Sequence, residues 1–212
     1  MEFLEQISLS LQFGKKDDVV AQINDALAAG IPAEQIVSDG LLAGMDIVGE
    51  KFKNGEYFVP QVLISARAMT VGLEMLKPQL GGDELEKKGT VILGTVLGDL
   101  HDIGKNLVKI MLEGKGLTVF DLGVDVAPER FIEEAIAHDA DVICCSALLT
   151  TTMTCMGKVV ELRNEKGLKD KVKIMVGGAP VTQEFADSIG ADVYTNDAAS
   201  AAEEALKICL SK

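Results

Sequence analysis

The first 80 residues carry apolar side chains at helical spacing. Apolar positions recur three or four residues apart in four stretches, as expected for amphipathic helices that bury one face. Glycine with a nearby proline ends the second stretch and Asn-Gly ends the third, both common stop signals. Because the connections are short, we expect a four-helix bundle over residues 1–80. The predicted helices span residues 3–13, 18–29, 32–53 and 60–76.

The pattern changes at residue 90. From there, short β-branched and aliphatic runs alternate with helical patterns, which is typical of a parallel sheet covered by helices on both faces. Five strands predict an α/β, flavodoxin-like (Rossmann-like) domain over residues 90–212. Polar residues 81–89 contain Gly-Gly and are predicted to be a linker. The predicted strands are 90–97, 118–122, 141–146, 173–176 and 192–194, and the helices are 106–113, 128–137, 153–166, 182–189 and 198–210.

Composition narrows the function classes. The formal net charge of −13 argues against a nucleic-acid-binding surface, which needs clustered basic residues. No apolar run approaches the length of a membrane span, and the amino terminus lacks a signal-peptide charge pattern, so we expect a cytoplasmic protein. The four cysteines lack zinc-site spacing, and adjacent Cys144 and Cys145 are expected to be reduced and to point to opposite faces of a buried strand.

The candidate chemistry follows the first predicted strand, in the segment Gly-Asp-Leu-His-Asp-Ile-Gly-Lys at 98–105. Asp99, two residues before His101, can hold the imidazole in one tautomer and direct its other nitrogen outward, as a metal ligand requires. Gly104 allows the backbone to approach a large group. A lone histidine in such a place is more often a turn or core residue, so the motif needs support from the neighbouring strand ends.

The other predicted strand ends supply that support, because ligands of such sheets bind beyond the carboxyl ends of the strands. The third strand ends at Ser146, with Leu148 and the hydroxyl of Thr152 beyond it. The fourth ends at the glycine pair 177–178, and the fifth is followed by Thr195-Asn196. These residues predict a wide slot with little side-chain bulk. The alternative is that the hydroxyls only satisfy backbone groups and the glycines only form a turn.

Three motifs in order, Asp99-x-His101-x-x-Gly104, Ser146-x-Leu148 and Gly177-Gly178, resemble those of corrinoid (cobalamin)-binding methyltransferase proteins. This family includes modules of methionine synthase and the stand-alone corrinoid proteins of methanol, methylamine and methoxyaromatic methyltransferase systems. The resemblance implies cobalamin or a related corrinoid as cofactor, with His101 as the lower ligand of cobalt. The implied corrinoid-binding residues are Asp99, His101, Asp102, Ile103, Gly104, Ser146, Leu148, Thr152, Gly177, Gly178, Thr195, Asn196, Phe52 and Val59.

The resemblance also assigns roles within this set. Ser146, Leu148 and the glycine pair would line the pocket for the nucleotide tail of the corrinoid. Asp99 would accept a hydrogen bond from His101 and meet the hydroxyl of Thr152, where methionine synthase has Ser, so that a proton on His101 is stabilised when it leaves cobalt. The helical half resembles the family's cap, in which residues at the places of Phe52 and Val59 cover the methyl face. Methionine synthase has Leu in place of Val59, and a plain bundle core is the alternative for both.

By resemblance, the chain is expected to be a non-catalytic methyl carrier. A substrate-specific methyltransferase would load it, and a second methyltransferase would pass the methyl group to tetrahydrofolate or coenzyme M, with a reductive activase as a third partner. The donor stays open between methanol, methylamines, betaines and methoxylated aromatics. The alternative is a cobalamin-dependent sensor or light-responsive regulator that acts through a protein partner. The small subunit of a carbon-skeleton mutase fits less well, because the cap belongs to methyl transfer.

Overall fold

The computed structural model describes residues 2–80 and 88–211. The chain divides into two compact units. One comprises Met1–Lys87 with Gly114–Gly116, and the other comprises Lys88–Glu113 with Leu117–Lys212. The expected linker over 81–89 lies outside the described residues from 81 to 87. No helix in residues 2–80 and 88–211 is long and apolar enough to cross a membrane.

The first unit is helical, as its apolar spacing predicts. Its core is formed by aliphatic side chains that the helices bury on one face, among them Ile7, Leu11, Ile23 and Leu41. The helical segments are α1 Glu2–Gln12, α2 Lys16–Ala28, α3 Ala33–Gln35, a π-helical segment Ile36–Leu42, α4 Ala43–Lys53 and α5 Val59–Leu76.

The expectation of one uninterrupted α-helix over 32–53 is wrong in one respect. The seven residues Ile36–Leu42 form a π-helix between α3 and α4. Two glycines face α1 closely here: a Cβ on Gly40 would lie 3.2 Å from Cγ2 of Ile7, and one on Gly44 would lie 3.1 Å from Cδ2 of Leu11. The wider turn therefore occurs where two helices pack with little room between them, which apolar spacing does not reveal.

The second unit confirms the α/β, flavodoxin-like prediction. Its five-stranded sheet has the order β2-β1-β3-β4-β5, and every pairing is parallel. This is the flavodoxin-like order, in which the direction of winding reverses between β1 and β3, so a crevice opens there beyond the carboxyl ends of the strands. The strands are β1 Thr90–Thr95, β2 Thr118–Asp121, β3 Val142–Ser146, β4 Lys173–Gly177 and β5 Val193–Tyr194.

Five helices of this unit are described, and four begin within a residue of the predicted start. The exception is α6, which begins at Ile103 and not at residue 106. Asp102 starts the helix: its backbone oxygen accepts from the N–H of Asn106 at 2.7 Å, and its carboxylate accepts from the amide of Asn106 at 3.1 Å. The helices are α6 Ile103–Gly114, α7 Pro128–Ala137, α8 Thr154–Glu165, α9 Gln183–Ile189 and α10 Ala198–Leu210.

The cysteines of β3 lie where alternation along a strand predicts. Cys145 belongs to the hydrophobic cluster that includes Ile92, Phe131 and Met156. Cys144 interacts instead with Cys209 of α10, so the two adjacent side chains face opposite sides of the sheet. Burial raises the pKa of Cys144 to about 12 and raises that of Cys145 as well, which keeps both thiols protonated.

An ion pair between buried Lys105 and the partly exposed Asp121 holds the first turn of α6 against β2. The ammonium of Lys105 lies 2.7 Å from each carboxylate oxygen of Asp121 and 2.8 Å from Oδ1 of Asn106. Burial of Asp121 raises its pKa, but the hydrogen bonds from Lys105 and from the N–H of Gly123 outweigh this, so its pKa lies below the ordinary value. The pair matters for the site because α6 follows the His101 loop directly.

We expect Asp121→Asn to destabilise the chain by about 2 kcal/mol at pH 7, because an ammonium buried among carboxylate oxygens loses its ionic partner. Since the folded pKa is lowered, the carboxylate stabilises the fold above the unfolded-chain pKa of about 4, and this is lost as pH falls further. Urea unfolding between pH 7 and pH 3 should show the variant and the wild type converging at acidic pH. The exposed Asp170→Asn is the control, and a constant difference at all pH values would contradict the prediction.

Candidate functional site

The site forms where β1 ends at the centre of the sheet. Gly98 turns the chain with a left-handed backbone (φ +81°), which places Asp99 in the interior. Asp99 is fully buried, whereas the side chain of His101 is 52% exposed. The turn therefore buries the carboxylate of Asp99 and leaves the ring of His101 at the surface.

The carboxylate of Asp99 is surrounded by donors from two loops. Its Oδ1 accepts from the backbone N–H of His101 at 3.1 Å and lies 2.7 Å from Nδ1 of the same ring. Its Oδ2 accepts from the N–H groups of Leu148 and Leu149, at 2.7 and 3.1 Å. The hydroxyl of Thr152 lies 3.0 Å from Oδ2 and 2.8 Å from the carbonyl oxygen of Leu149. One carboxylate thus joins the loop after β1 to the loop after β3.

These bonds determine the charge of Asp99. Burial by itself raises the pKa of the carboxyl, but the hydrogen bonds from the His101 ring and from three backbone N–H groups outweigh it. The pKa of Asp99 therefore lies well below its usual range, and the group is an anion at neutral pH. An anionic carboxylate has no proton to give, so Nδ1 of His101 must donate.

The ring of His101 is consequently oriented with one nitrogen available. Nδ1 is committed to Asp99, so in the neutral ring the lone pair is on Nε2, which is the form that binds a metal. The hydroxyl of Thr95, which is buried at the end of β1, donates to the carbonyl oxygen of His101 at 2.9 Å and holds the loop from beneath.

The residues close to His101 in the sequence include apolar side chains that are exposed to solvent. Leu100 is 71% exposed and Ile103 is 77% exposed. A Cβ built on Gly104 meets no atom within 4 Å, so the space above the first turn of α6 is open. Exposed apolar side chains grouped in two loops indicate a binding surface. The large apolar residues of these loops with at least 40% exposure are Leu97, Leu100, Ile103, Leu148 and Leu149.

Sequence reasoning named Ile103 and Leu148 but missed Leu97, Leu100 and Leu149. The available signal was the placement of leucines among polar motif residues, where no helix or strand face explains them. Thr95 was missed because a threonine near the end of a strand is ordinary. Asp102, which was named, directly precedes α6, and its carboxylate accepts from the side-chain amide of Asn106 at 3.1 Å.

The predicted tail-pocket residues occupy neighbouring strand ends. Ser146 of β3 pairs in register with Gly177 of β4, next to Thr95 of β1. The structure gives the glycine pair a packing reason of its own. Gly178 has φ +131°, and a Cβ there would lie 1.9 Å from the carbonyl oxygen of Ala147. The backbone at residue 178 therefore approaches the backbone at residue 147 so closely that only glycine fits at 178.

The remaining predicted residues lie after β5 and in the helical unit, and Thr195 adjoins the glycine pair: a Cβ on Gly177 would lie 3.3 Å from the carbonyl oxygen of Thr195. Thr195 and Asn196 follow β5 and line an open groove with Tyr194 and residues of α10. This groove is not lined by Ser146, Leu148 or the glycine pair. Phe52 in α4 and Val59, the first residue of α5, are half-buried residues of the helical unit.

The donor set is suited to a metal that arrives within a larger cofactor. Among residues 2–80 and 88–211, no group of three or more His, Cys, Asp or Glu side chains could hold a metal ion. His101 offers a single nitrogen beside an apolar surface. A corrinoid would bring its cobalt with most of the metal's ligands already in place, so His101 would need to supply only one nitrogen to hold it. The residues present therefore fit such a group.

Comparison with known proteins agrees with this class of site. A B12 binding domain family model matches residues 89–206, and a second B12 binding domain model matches residues 3–77. The chain belongs to the B12-binding protein family, and its cofactor is cobalamin or a related corrinoid.

Similar proteins extend over the whole chain. Dimethylamine corrinoid protein 2 of Methanosarcina acetivorans is 44% identical over 212 residues, 100% of this chain and 98% of that protein. Trimethylamine corrinoid protein 2 of Methanosarcina mazei is 44% identical over 91% of both chains. The solved methanol:cobalamin methyltransferase complex MtaBC of Methanosarcina barkeri contains a chain that is 34% identical. That match has a TM-score of 0.90 and covers 100% of this chain and 81% of that chain.

We expect Thr152→Val to destabilise the chain by about 1 kcal/mol, because Asp99 loses its hydroxyl donor while the side-chain volume is kept. Urea unfolding at pH 7 measures the change. Thr151→Val is the matched control, since its side chain is exposed and its loss should lie within about 0.5 kcal/mol of zero. Equal effects of the two substitutions would show that the hydroxyl of Thr152 adds nothing to the Asp99 cluster.

Proposed function

We propose that the chain is a methyl-carrying corrinoid protein of a multi-component methyltransferase system. The observation that carries the proposal is the commitment of Nδ1 of His101 to the buried Asp99 carboxylate at 2.7 Å. This leaves Nε2 for cobalt beside exposed apolar side chains. When bound, the corrinoid supplies a cobalt centre that accepts and releases a methyl group.

The residues of the chain tune that centre. His101 would hold the cobalt of a bound corrinoid through Nε2, because its Nδ1 is committed to Asp99. The Asp99 carboxylate would hold the proton at Nδ1 of the His101 ring, and the hydroxyl of Thr152 lies 3.0 Å from Oδ2 of the same carboxylate. Phe52 and Val59 of the helical unit are proposed to exclude water from the methyl group that the corrinoid would carry. Ser146, Leu148 and the glycine pair are proposed to receive the nucleotide tail.

The partners follow from the need to load and unload the carrier. We propose a substrate-specific methyltransferase, an acceptor methyltransferase that uses tetrahydrofolate or coenzyme M, and a reductive activase. The MtaBC complex pairs a similar chain with a methyltransferase, which supports the first partner. Relatives named for dimethylamine and trimethylamine make methylamines the donors to test first. A net charge of −13 favours transient docking on partners with complementary charge.

The first experiment is an ultraviolet–visible spectrum of the full chain after anaerobic mixing with methylcobalamin in the dark and desalting. We expect retained corrinoid with the spectrum of a form in which the nucleotide base has left cobalt and histidine has replaced it. Loss of all corrinoid from protein that circular dichroism shows to be folded would overturn the proposal. Anaerobic incubation with purified methylamine methyltransferases and each methylamine then identifies the donor.

We expect His101→Ala to retain part of the corrinoid through the tail contacts but to lose nitrogen ligation. Electron paramagnetic resonance of the cobalt(II) form measures this as loss of nitrogen superhyperfine splitting. The chain has two histidines, and His138 stacks on Phe120 at 3.6 Å, so His138→Ala is the matched control. Splitting that persists in His101→Ala would remove His101 as the ligand.

A further inference from the structure

The segment that follows β2 is bonded to the end of β1. The backbone N–H of Thr95 donates to the carbonyl oxygen of Gly123 at 3.0 Å, and the N–H of Val126 donates to the carbonyl oxygen of Thr95 at 3.0 Å. Val96 and Val126 form an isolated parallel bridge. The segment 123–126 therefore lies directly beside the turn that leads to His101.

Within this segment, Asp125 forms hydrogen bonds with the two peptide groups that flank the Gly98–Asp99 peptide. Its carboxylate oxygen Oδ1 accepts from the N–H of Gly98 at 2.7 Å. Its own N–H donates to the carbonyl oxygen of Asp99 at 3.0 Å. Since Asp99 holds the imidazole of His101 through its side chain, Asp125 fixes the backbone from which that side chain projects.

The backbone of Asp125 is strained. Its φ is +55°, and among residues 2–80 and 88–211 the non-glycine residues with positive φ are Asp125 and Asp139. The left-handed conformation costs about 1 kcal/mol for a residue with a Cβ, and glycine adopts it without that cost. A chain that needed this turn alone would do better with glycine. The carboxylate offers what glycine lacks, a charged acceptor for the N–H of Gly98.

We propose that Asp125 is a positioning residue that holds the turn at 98–99 and thereby the direction of the His101 ring. Its consequence for cobalt ligation rests on the proposed function, whereas its effect on the turn does not. Asn at this position keeps tolerance for the left-handed backbone and a neutral acceptor, and Gly keeps the backbone alone. The turn should therefore be most rigid with Asp at position 125, less rigid with Asn and least rigid with Gly.

Amide hydrogen exchange of the full-length chain without added corrinoid tests the positioning itself. In Asp125→Gly we expect the amides of both Gly98 and His101 to exchange about 10-fold faster, because the turn loosens beyond the bond that is removed. Asp125→Asn should fall between Gly and wild type. Amides of the central strand β3 should not change in either variant.

Asp139→Gly is the matched control, because Asp139 has φ +46° at the end of α7 and its change relieves the same kind of strain. It should leave the Gly98 and His101 amides at wild-type rates. Faster exchange at Gly98 with wild-type exchange at His101 would overturn the proposal, since Asp125 would then only satisfy its neighbour. If Asp125→Gly fails to fold, the exchange rates of the same two amides in Asp125→Asn decide between these outcomes.

Corrinoid binding supplies the second readout. Equilibrium titration with methylcobalamin should show about 10-fold weaker binding for Asp125→Gly, the range found for residues that support a metal ligand. The cobalt(II) form should show broadened nitrogen splitting, and Asp139→Gly should match wild type. Wild-type affinity with unchanged splitting would overturn the link to ligation. If wild-type protein retains no corrinoid, the proposed function fails, and the amide exchange still decides the role of Asp125.

Discussion

The candidate site depends on one buried carboxylate. Asp99 has no exposed surface, yet it is kept anionic by donors from its own loop and from the loop after β3. Removing any donor would leave the Asp99 carboxylate with fewer hydrogen bonds. The fold would then be less stable, because burying a charge without such partners costs free energy. The cluster therefore acts as a unit: it joins two loops, selects the tautomer of His101 and leaves one nitrogen at the surface.

The sheet topology makes this cluster possible. Because β1 and β3 are adjacent and parallel, their carboxyl ends meet at the point where the winding direction reverses. Residues 99 and 148 are distant along the chain but within hydrogen-bond distance in the fold. The segment after β2 approaches from the other side of β1 through Asp125. Loops from three neighbouring strands thus fix a ring that no single loop could hold.

Much of this architecture was predictable from patterns. Apolar spacing predicted the helical first unit, because each helix of a bundle buries one face. Strand–helix alternation predicted the parallel sheet, because helices cover both of its faces. The motif spacing located His101 at a strand end. The start of α6 was missed because Gly104 weakens the helical pattern in its first turn. The π-helical segment Ile36–Leu42 was missed because apolar spacing does not distinguish one wider turn from the α-helical turns around it.

The sequence by itself determined the class of fold, the motif at 99–104 and the hydroxyl at Thr152, because side-chain type and local spacing carry that information. The tertiary structure alone decided how these groups meet. The groups of Leu148 and Leu149 that bond to Asp99 are backbone N–H groups. Every residue but proline has such a group, so the residue types at these positions do not predict the bonds. The left-handed backbone of Asp125 likewise arises from its contacts with a distant turn. Long-range hydrogen bonds, and not local propensity, set the final geometry of the site.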